Sequence, residues 1–317
     1  MHDLQSNCEA KLTQMLPDHT RGLLERGLFR CPHCLSRNVE VLAKGLRCTA
    51  CYRSYLVEQG IPILVRNPEE LESALESARR RLPDWYLREQ HTEETSPWRH
   101  HLRRRREYVE ALIEQHVRTR GVAPVETLLD LGCGDGNHLM YLHRFAPLVC
   151  GSDYNLERLL RARHRFPHLT LFLADILDYP VHEGVFDIIF FNHVLEHIAE
   201  DTAALQTVFR ILKRNGLLIL GVPNEGVWWW QLAFKLQPAV KENTDHVHFY
   251  SAEAVCEKLG AVGFTVLEVK HLGWGPPHFG LDRRFRSCKF LDGCFEALGR
   301  TLLPRQASSL YIRATKG

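Results

Sequence analysis

Short apolar runs separated by amphipathic stretches dominate the sequence from residue 125 onward. The runs lie at 125–131, 148–151, 169–173, 186–191 and 217–222, and two more lie at 265–272 and 309–316. Buried parallel strands produce such runs, and the helices that connect them have an apolar face of helical spacing. The pattern therefore predicts an α/β fold with a doubly wound sheet of seven strands.

A glycine-rich turn follows the first of these runs. It reads Asp-Leu-Gly-Cys-Gly-Asp-Gly over residues 130–136 and precedes a helical pattern at 137–145. Glycines at a strand-to-helix turn let the backbone approach a ligand closely and adopt dihedral angles that other residues avoid. The dinucleotide-binding spacing would need glycine or alanine at Asn137, so the third glycine comes one residue early. The turn predicts a site for a nucleotide-like ligand.

Polar residues stand at the ends of the next three runs. Asp153 ends the second run, Asp175 the third and Asn192 the fourth. Ligands of open α/β sheets bind at these strand ends, where a carboxylate can accept hydrogen bonds from ribose hydroxyls. Asp153 could instead cap the next helix, and Asp175 could be a turn residue. Asp130, Asp153 and Asp175 are acids at three successive strand ends, and this arrangement favours ligand binding.

The glycine turn and its preceding acid resemble motif I of class I S-adenosylmethionine-dependent methyltransferases. Segments 186–198 and 210–224 resemble the methyltransferase subfamily that includes ubiquinone-pathway O-methyltransferases, although Asn215 replaces the glycine of many members. The likeness extends from about residue 124 to 272. It implies a Rossmann-like sheet and S-adenosylmethionine as cofactor. The implied cofactor-binding residues are Asp130, Gly132, Cys133, Gly134, Gly136, Asp153, Tyr154, Asp175, Ile176 and Asn192.

Four histidines are candidates for a catalytic base. His193 and His197 follow the fourth strand, while His246 and His248 precede a predicted helix. An imidazole titrates near neutral pH, so each could take a proton from an acceptor. His197 could equally be a structural residue that orients its loop, and His246 and His248 could belong to a simple turn.

Two Cys-x-x-Cys pairs lie near the N-terminus, with a strand–turn–strand pattern between them. Four thiolates at this spacing predict a zinc ribbon with a structural, tetrahedral zinc ion. The ligands would be Cys31, Cys34, Cys48 and Cys51. With the Gly-Ile-Pro segment at 60–62, this region resembles the zinc-ribbon activator subunit of several tRNA, ribosomal RNA and protein methyltransferases. That resemblance implies a docking surface for a protein partner or part of an acceptor site.

Charge and cysteine spacing limit the environment of the protein. The chain has 40 basic and 38 acidic residues, so no bulk charge indicates nucleic acid or membrane binding. No apolar stretch reaches the ~20 residues of a transmembrane helix, and metal-type cysteine spacing suits a reducing compartment. We therefore expect a cytoplasmic protein without a transmembrane segment. The basic run at 99–106 could bind RNA phosphates, but its lack of interleaved aromatic residues favours the solvated face of a helix.

The expected organisation has four parts. These are a helical extension (1–29), a zinc ribbon (30–66), a helical connector (67–120) and a methyltransferase domain (121–317) with insertions at 224–250 and 273–307. Three tryptophans at 228–230 could form an acceptor lid, a membrane-surface anchor or a helix packed on the core. A protein that binds bare RNA would be expected to have more lysine and arginine in these insertions, which favours a small, lipid-linked or carrier-linked acceptor. An RNA base methyltransferase and a non-catalytic cofactor-binding scaffold are the alternatives.

Overall fold

The computed structural model describes residues 27–42, 45–81, 87–119, 124–242 and 244–317. Most of the predicted helical extension at 1–29 lies outside these residues. The strands within them are β1 (Val39–Leu42), β2 (Gly45–Cys48), β3 (Ser54–Tyr55), β4 (Val57–Glu58), β5 (Ile61–Leu64), β6 (Thr127–Leu131), β7 (Leu148–Asp153), β8 (Thr170–Ala174), β9 (Phe186–Asn192), β10 (Leu212–Pro223), β11 (Phe264–Leu272) and β12 (Ser309–Lys316).

The helices within the same residues are α1 (Pro68–Arg81), α2 (Arg99–Thr119), α3 (Leu139–Leu142), α4 (Leu156–Arg165), α5 (Asp201–Ile211), α6 (Trp228–Leu236), α7 (Pro238–Glu242), α8 (Ala252–Val262), α9 (Phe279–Arg286) and α10 (Lys289–Leu302). A short 3₁₀ helix spans Leu195–His197. None of the described helices has the length and apolar character needed to cross a membrane.

The chain divides into two compact units, and the first takes in the described residues up to Glu89 together with Thr127–Val185. Its main sheet has the strand order β6-β7-β8-β5-β4. Strands β5 to β8 run parallel, while β4 is antiparallel to β5. Every residue of β6 and β8 is buried, as expected of parallel strands covered on both faces.

The cysteine region of the first unit forms a separate sheet with the order β1-β2-β3. Strands β1 and β2 make the predicted antiparallel hairpin, in which Val39 lies opposite Cys48. Gly45 begins the return strand with a φ of 145°, and a Cβ there would lie 2.5 Å from the carbonyl oxygen of Tyr55. Glycine is therefore required where β2 approaches β3.

The segment after the cysteines enters the main sheet of the first unit. Strand β5 pairs in parallel with β8, and Ile63 lies opposite Leu173. The guanidinium of Arg163 donates a hydrogen bond of 3.3 Å to the carbonyl oxygen of Gly60. The rings of Phe29 and Phe172 meet edge to face with centroids 5.0 Å apart. Apolar contacts and hydrogen bonds thus join the cysteine region to this sheet.

The second unit takes in Gln90–Glu126 and Phe186–Gly317. Its strand order is β11-β12-β10-β9, with β9 and β10 parallel and β12 antiparallel to both neighbours. Helix α8 is capped at its N-terminus by Ser251, whose hydroxyl accepts a hydrogen bond from the N–H of Ala254, and at its C-terminus by Gly263 with a φ of 108°. Strands β6 to β8 of the first unit and β9 to β12 of the second are the seven predicted strands.

The basic run at 99–106 lies on α2, and its arginines bind acidic or polar groups of the second unit. The Nε atoms of Arg103 and Arg106 lie 3.0 and 2.8 Å from the carboxylate of Glu93. Arg104 forms ion pairs with the buried carboxylates of Asp292 and Glu296. The run thus lies on a helix, as predicted, but its arginines are paired within the protein and the face is less solvated than expected.

Candidate functional site

The glycine turn of the first unit has the backbone conformation that its sequence predicts. Gly132, Gly134 and Gly136 have φ angles of 77°, 53° and 77°, which place them in the left-handed region that favours glycine. The N–H groups of Gly132 and Cys133 both donate to the carbonyl oxygen of Ser152, at 2.8 and 3.0 Å. The turn is therefore held against the end of the adjacent strand β7.

Asp153, the last residue of β7, is bound to this turn. One carboxylate oxygen accepts a hydrogen bond of 2.8 Å from the N–H of Gly134, and the other accepts one of 2.9 Å from the N–H of Asn155. Asn155 is the residue that caps α4, because its side chain accepts from the N–H of Arg158. The helix-cap alternative for Asp153 therefore fails, and its carboxylate belongs to the glycine turn.

Asp130 stands at the end of β6 with a buried carboxylate. Its Oδ2 atom has no hydrogen-bond partner among the described residues. Burial, and secondarily the charge of Asp153, raises the pKa of Asp130 well above its usual range. Burial also raises the pKa of Cys133, so this residue is a neutral thiol and not a nucleophile. The turn thus contains a polar atom that a hydrogen-bond donor of a ligand would satisfy.

Arginines of α4 support the turn, and the motif alone did not reveal them. Arg161 Nε donates to the buried carboxylate of Asp135 at 3.0 Å. Arg165 donates to the carbonyl oxygen of Asp135 at 3.1 Å and to the side-chain oxygen of Asn137 at 2.6 Å. Helix α3 begins at Leu139 without a side-chain cap at His138 and is shorter than the helical pattern at 137–145. The acid inside the glycine turn was the only sequence signal for this pairing.

Asp175 follows β8 and lies next in order along the same edge of the sheet, because β6, β7 and β8 are parallel neighbours. Its carboxylate accepts a hydrogen bond of 2.9 Å from the N–H of Leu177, so it also shapes a local turn. Asp175 and Ile176 are half-buried and Tyr154 is exposed. The first unit thus brings together the predicted residues of the glycine turn, Asp153 and Asp175 at adjoining strand ends.

Asn192 belongs to the second unit, where it ends β9 with a side chain that is 8% exposed. It lies opposite Gly221 of the parallel strand β10. A Cβ at Gly221 would stand 2.1 Å from the side-chain oxygen of Asn192. Glycine at 221 therefore makes the space that this amide occupies.

His193 and Glu196 form the first part of a polar cluster in the second unit. His193 has a φ of 53°, which is uncommon for a residue with a side chain. Its Nδ1 atom lies 3.2 Å from Oε1 of Glu196, whose side chain is buried. Burial, and then the charge of Arg105, lowers the pKa of His193, so its imidazole is neutral near pH 7.

His197 and His246 complete this cluster, and their rings meet edge to face with centroids 4.9 Å apart. His197 Nδ1 lies 3.0 Å from Asp245 Oδ1, and His246 Nδ1 lies 2.7 Å from Glu225 Oε2. Burial lowers the pKa of His197, but the hydrogen bond to Asp245 and the nearby carboxylate charges outweigh burial and leave this pKa raised. Glu225 and Asp245 were not predicted, because nothing in the spacing of the histidines indicates their acidic partners.

His248 lies outside this cluster. Its Nε2 atom is 3.1 Å from the carbonyl oxygen of Ala199 and 3.6 Å from Oδ2 of Asp201, and its ring stacks on Tyr250. Of the four predicted base candidates, three histidines are therefore clustered, and His248 contacts a different set of residues.

The four cysteines predicted as metal ligands converge in the first unit. Their sulfur atoms all lie within 4.8 Å of one another, with Cys31 and Cys51 3.6 Å apart and Cys34 and Cys48 3.5 Å apart. Sulfur atoms on a zinc tetrahedron with Zn–S bonds of about 2.3 Å would be ~3.8 Å apart. The cluster thus has the donor type and spacing of a closed zinc site.

The two Cys-x-x-Cys turns have the same backbone geometry. The N–H groups of Leu35 and Tyr52, each just after the second cysteine, donate to the carbonyl oxygens of Cys31 and Cys48 at 2.9 Å. Leu35 and Tyr52 have φ angles of 62° and 61°. Burial alone would raise the pKa of Cys31, but hydrogen bonds from the Tyr55 hydroxyl and nearby amides lower it to about 7. Cys31 therefore favours the thiolate, the form that binds metal. At Cys34 and Cys51, backbone hydrogen bonds lower the pKa, but burial and neighbouring thiols outweigh them and leave both pKa values raised.

The two insertions of the second unit pack on each other. Trp230 is buried, and its Nε1 atom lies 3.1 Å from the carbonyl oxygens of Gln306 and Ala307. Trp229 Nε1 donates to the carbonyl oxygen of Gly275 at 3.0 Å. Trp228 is 57% exposed. Trp229, which is half-buried, and the buried Trp230 therefore follow the packed-helix interpretation, and Trp228 is the exposed member of the three.

The sequence profile of a family described as "Methyltransferase domain" matches residues 98–269. This match covers more than half of the chain, so the chain belongs to that family of methyltransferase domains.

Two curated relatives carry methyltransferase names. A "Probable S-adenosylmethionine-dependent methyltransferase" of Mycolicibacterium smegmatis is 24% identical over 157 residues, which cover 50% of this chain and 59% of that protein. An "Uncharacterized methyltransferase" of Synechocystis is 31% identical over 162 residues, which cover 48% of this chain and 72% of that protein. The chain spans less than two thirds of the length of several other curated relatives.

A structure from Galdieria sulphuraria, described as a "putative sarcosine dimethylglycine methyltransferase", is 16% identical with a TM-score of 0.50 and covers 68% of this chain and 86% of its own. The predicted Rossmann-like α/β methyltransferase fold is therefore confirmed.

Proposed function

We propose that this chain is an S-adenosylmethionine-dependent methyltransferase. The observation that carries the proposal is the carboxylate of Asp153, held at the end of β7 by the N–H groups of Gly134 and Asn155. A carboxylate oxygen has more than one lone pair, so both oxygens can still accept hydrogen bonds from the two hydroxyls of a ribose. Family membership supports the same function.

The residues of the first unit fit this cofactor. Three glycines with positive φ keep side chains away from the turn, and the buried Asp130 Oδ2 atom is a suitable acceptor for a donor group of the ligand. Asp175 and Ile176 at the next strand end suit an adenine ring, whose amine would donate to the carboxylate. When bound, S-adenosylmethionine supplies an electrophilic methyl carbon. The chain must then hold the acceptor close to that carbon, because positioning supplies much of the rate of such a transfer.

A small, lipid-linked or carrier-linked acceptor is favoured over RNA. Arginines of the basic run bind Glu93, Asp292 and Glu296 of the second unit, so their charge is partly neutralised within the protein. The exposed Trp228 gives the first insertion an apolar side chain that an acceptor could contact. We retain His193, His197, His246 and His248 as candidates for a base, which is needed only if the acceptor loses a proton.

The cysteine cluster is proposed to bind a structural zinc ion. Four sulfur ligands fill the tetrahedral coordination of zinc, and no position is left for a substrate. The surface around this zinc ribbon is the proposed docking site for a protein partner or for part of the acceptor.

The test is to incubate the purified protein with methyl-labelled S-adenosylmethionine and fractionated cell extract. We expect label in the small-molecule and lipid fraction, and the Asp153→Ala variant serves as the control for transfer by other enzymes. Label in RNA would support the RNA base methyltransferase. Cofactor binding without transfer to any fraction would support the non-catalytic scaffold.

A further inference from the structure

We infer that the second unit contains a binding site for a divalent transition-metal ion, formed by Glu196, His197 and His246. One ligand atom from each of the three side chains lies within 4.8 Å of the others. The site goes beyond the proposed function, because methyl transfer from S-adenosylmethionine requires no such ion.

The distances of the cluster are close to those of a coordination sphere. His197 Nε2 lies 3.9 Å from Glu196 Oε1. Ligand atoms that share one ion at metal–ligand distances of about 2.1 Å are roughly 3 to 3.6 Å apart. Small side-chain movements would therefore bring the three ligand atoms around one ion.

Carboxylates orient both imidazoles in the way that metal-binding histidines require. His197 Nδ1 is 3.0 Å from Asp245, and His246 Nδ1 is 2.7 Å from Glu225. A histidine ligand typically donates its second N–H to a carboxylate, which fixes the ring and increases its basicity. Because Nδ1 of each ring makes this contact, Nε2 is the atom that would bind the ion.

Glu196 supplies an independent observation. Its side chain is fully buried. Among the described residues Oε2 has no hydrogen-bond partner, and Oε1 is close to the imidazole of His193 without the geometry of a full hydrogen bond. Its Oε1 atom lies 3.2 Å from His193 Nδ1 and 3.9 Å from His197 Nε2. Burial of a carboxylate is unfavourable unless it is paired or binds a metal. A bound cation would satisfy these oxygens.

The donor set indicates which ions would bind. Two imidazoles and one carboxylate suit Zn²⁺, Fe²⁺, Mn²⁺ or Co²⁺, whereas the four thiolates of the first unit disfavour Mn²⁺. Three protein ligands also leave at least one coordination position for water or for an oxygen atom of another molecule. The proposed site is thus open, unlike the cysteine cluster.

Titration with Mn²⁺ separates the two sites. Mn²⁺ is added to the full chain with zinc retained in the ribbon, and free Mn²⁺ is followed by its electron paramagnetic resonance signal. We expect a saturable site at about one ion per chain. Glu196→Gln and His246→Ala should abolish binding, and Glu225→Gln should weaken it about 10- to 100-fold.

Control variants keep the test decisive. His248→Ala removes an imidazole from the same loop but leaves the three ligands in place, so it should bind Mn²⁺ as the wild type does. Cys51→Ser removes one ligand of the cysteine cluster, so its zinc is expected to be lost, but Mn²⁺ binding by the second unit should persist. If Glu196→Gln does not fold, the comparison of Mn²⁺ affinity between the wild type and Glu225→Gln still tests the site. Absence of saturable binding of both Mn²⁺ and Co²⁺ outside the cysteines, or unchanged affinity in Glu225→Gln and His246→Ala, would overturn the site.

Discussion

The cysteine cluster of the first unit and the histidine cluster of the second bring candidate metal ligands together in opposite ways. Cys31, Cys34, Cys48 and Cys51 come from one short stretch, in two turns with the same hydrogen bonds. Glu196 and His197 are neighbours in one 3₁₀ helix, whereas His246 comes from a loop far along the chain, and the two imidazoles contact two further carboxylates. A closed site made by local turns can be inferred from spacing, whereas an open site made by tertiary packing cannot.

The largest effect is expected when one of the four clustered cysteines is replaced, because zinc binding should then be lost. Cys31→Ser should abolish zinc binding by the ribbon, because one of four ligands is removed. Metal binding to zinc-finger peptides contributes on the order of 10 kcal/mol at pH 7, so the ribbon should also unfold more easily. The measurements are zinc content after dialysis, the cobalt–thiolate absorption of the cobalt-substituted protein, and urea unfolding.

The matched control for this prediction is Cys288→Ser, which replaces an exposed free cysteine of the second unit. This variant should retain zinc and stability. A Cys31→Ser protein with full zinc content and unchanged cobalt–thiolate absorption would contradict the zinc-ribbon interpretation.

The next effect concerns cofactor affinity in the first unit. Asp153→Ala removes the carboxylate proposed to accept from both ribose hydroxyls, and hydrogen bonds to charged groups contribute about 1.5–3 kcal/mol each. We expect affinity for S-adenosylmethionine to fall by about 100-fold or more, measured by calorimetry on protein whose fold is checked by circular dichroism. Equal affinities of variant and wild type would refute the ribose assignment.

A packing change in the second unit should have an intermediate effect. Gly221→Ala would place Cβ 2.1 Å from the side-chain oxygen of Asn192, so the free energy of unfolding should fall by about 1–3 kcal/mol. Adding Asn192→Ala removes the clash and should restore part of that loss. Gly260→Ala on α8 is the control, because nothing lies within 4 Å of the added Cβ. A Gly221→Ala protein as stable as Gly260→Ala would contradict this packing.

Replacement of Asp130 should have a smaller effect on the free energy of unfolding, and the size of this effect should depend on pH. Burial raises the pKa of Asp130 well above its usual range, so the folded protein binds this proton more tightly than the unfolded chain does. The stability of the wild type relative to Asp130→Asn should therefore fall as pH rises from about 4, the pKa of an unfolded aspartate, through the raised folded-state pKa. Urea unfolding of both proteins across this range provides the measurement, and parallel pH profiles would count against the assignment.

The smallest effect is expected from the basic run. Arg103 binds Glu93 within the second unit, so Arg103→Gln should leave any salt-dependent association with RNA unchanged within error. A filter-binding titration at two salt concentrations would show this. A clear loss of RNA binding in the variant would instead favour the RNA base methyltransferase.

Local patterns predicted the glycine turn, the seven strands and the hairpin between the cysteines, because each depends on neighbouring residues. The pairing of Ile63 with Leu173 joins segments far apart in the chain, so the position of β5 in the main sheet was not predictable from spacing. The same holds for the contacts of Glu225 with His246 and of Arg104 with Asp292. Such contacts arise from tertiary packing and leave no periodic signal in the sequence.

The central claim is that the first unit binds S-adenosylmethionine, and calorimetric titration of the full chain with this cofactor tests it most directly. The account predicts saturable binding at one site per chain, competition by S-adenosylhomocysteine, and a large loss of affinity in Asp153→Ala. Absence of saturable binding by folded, zinc-loaded protein would contradict it.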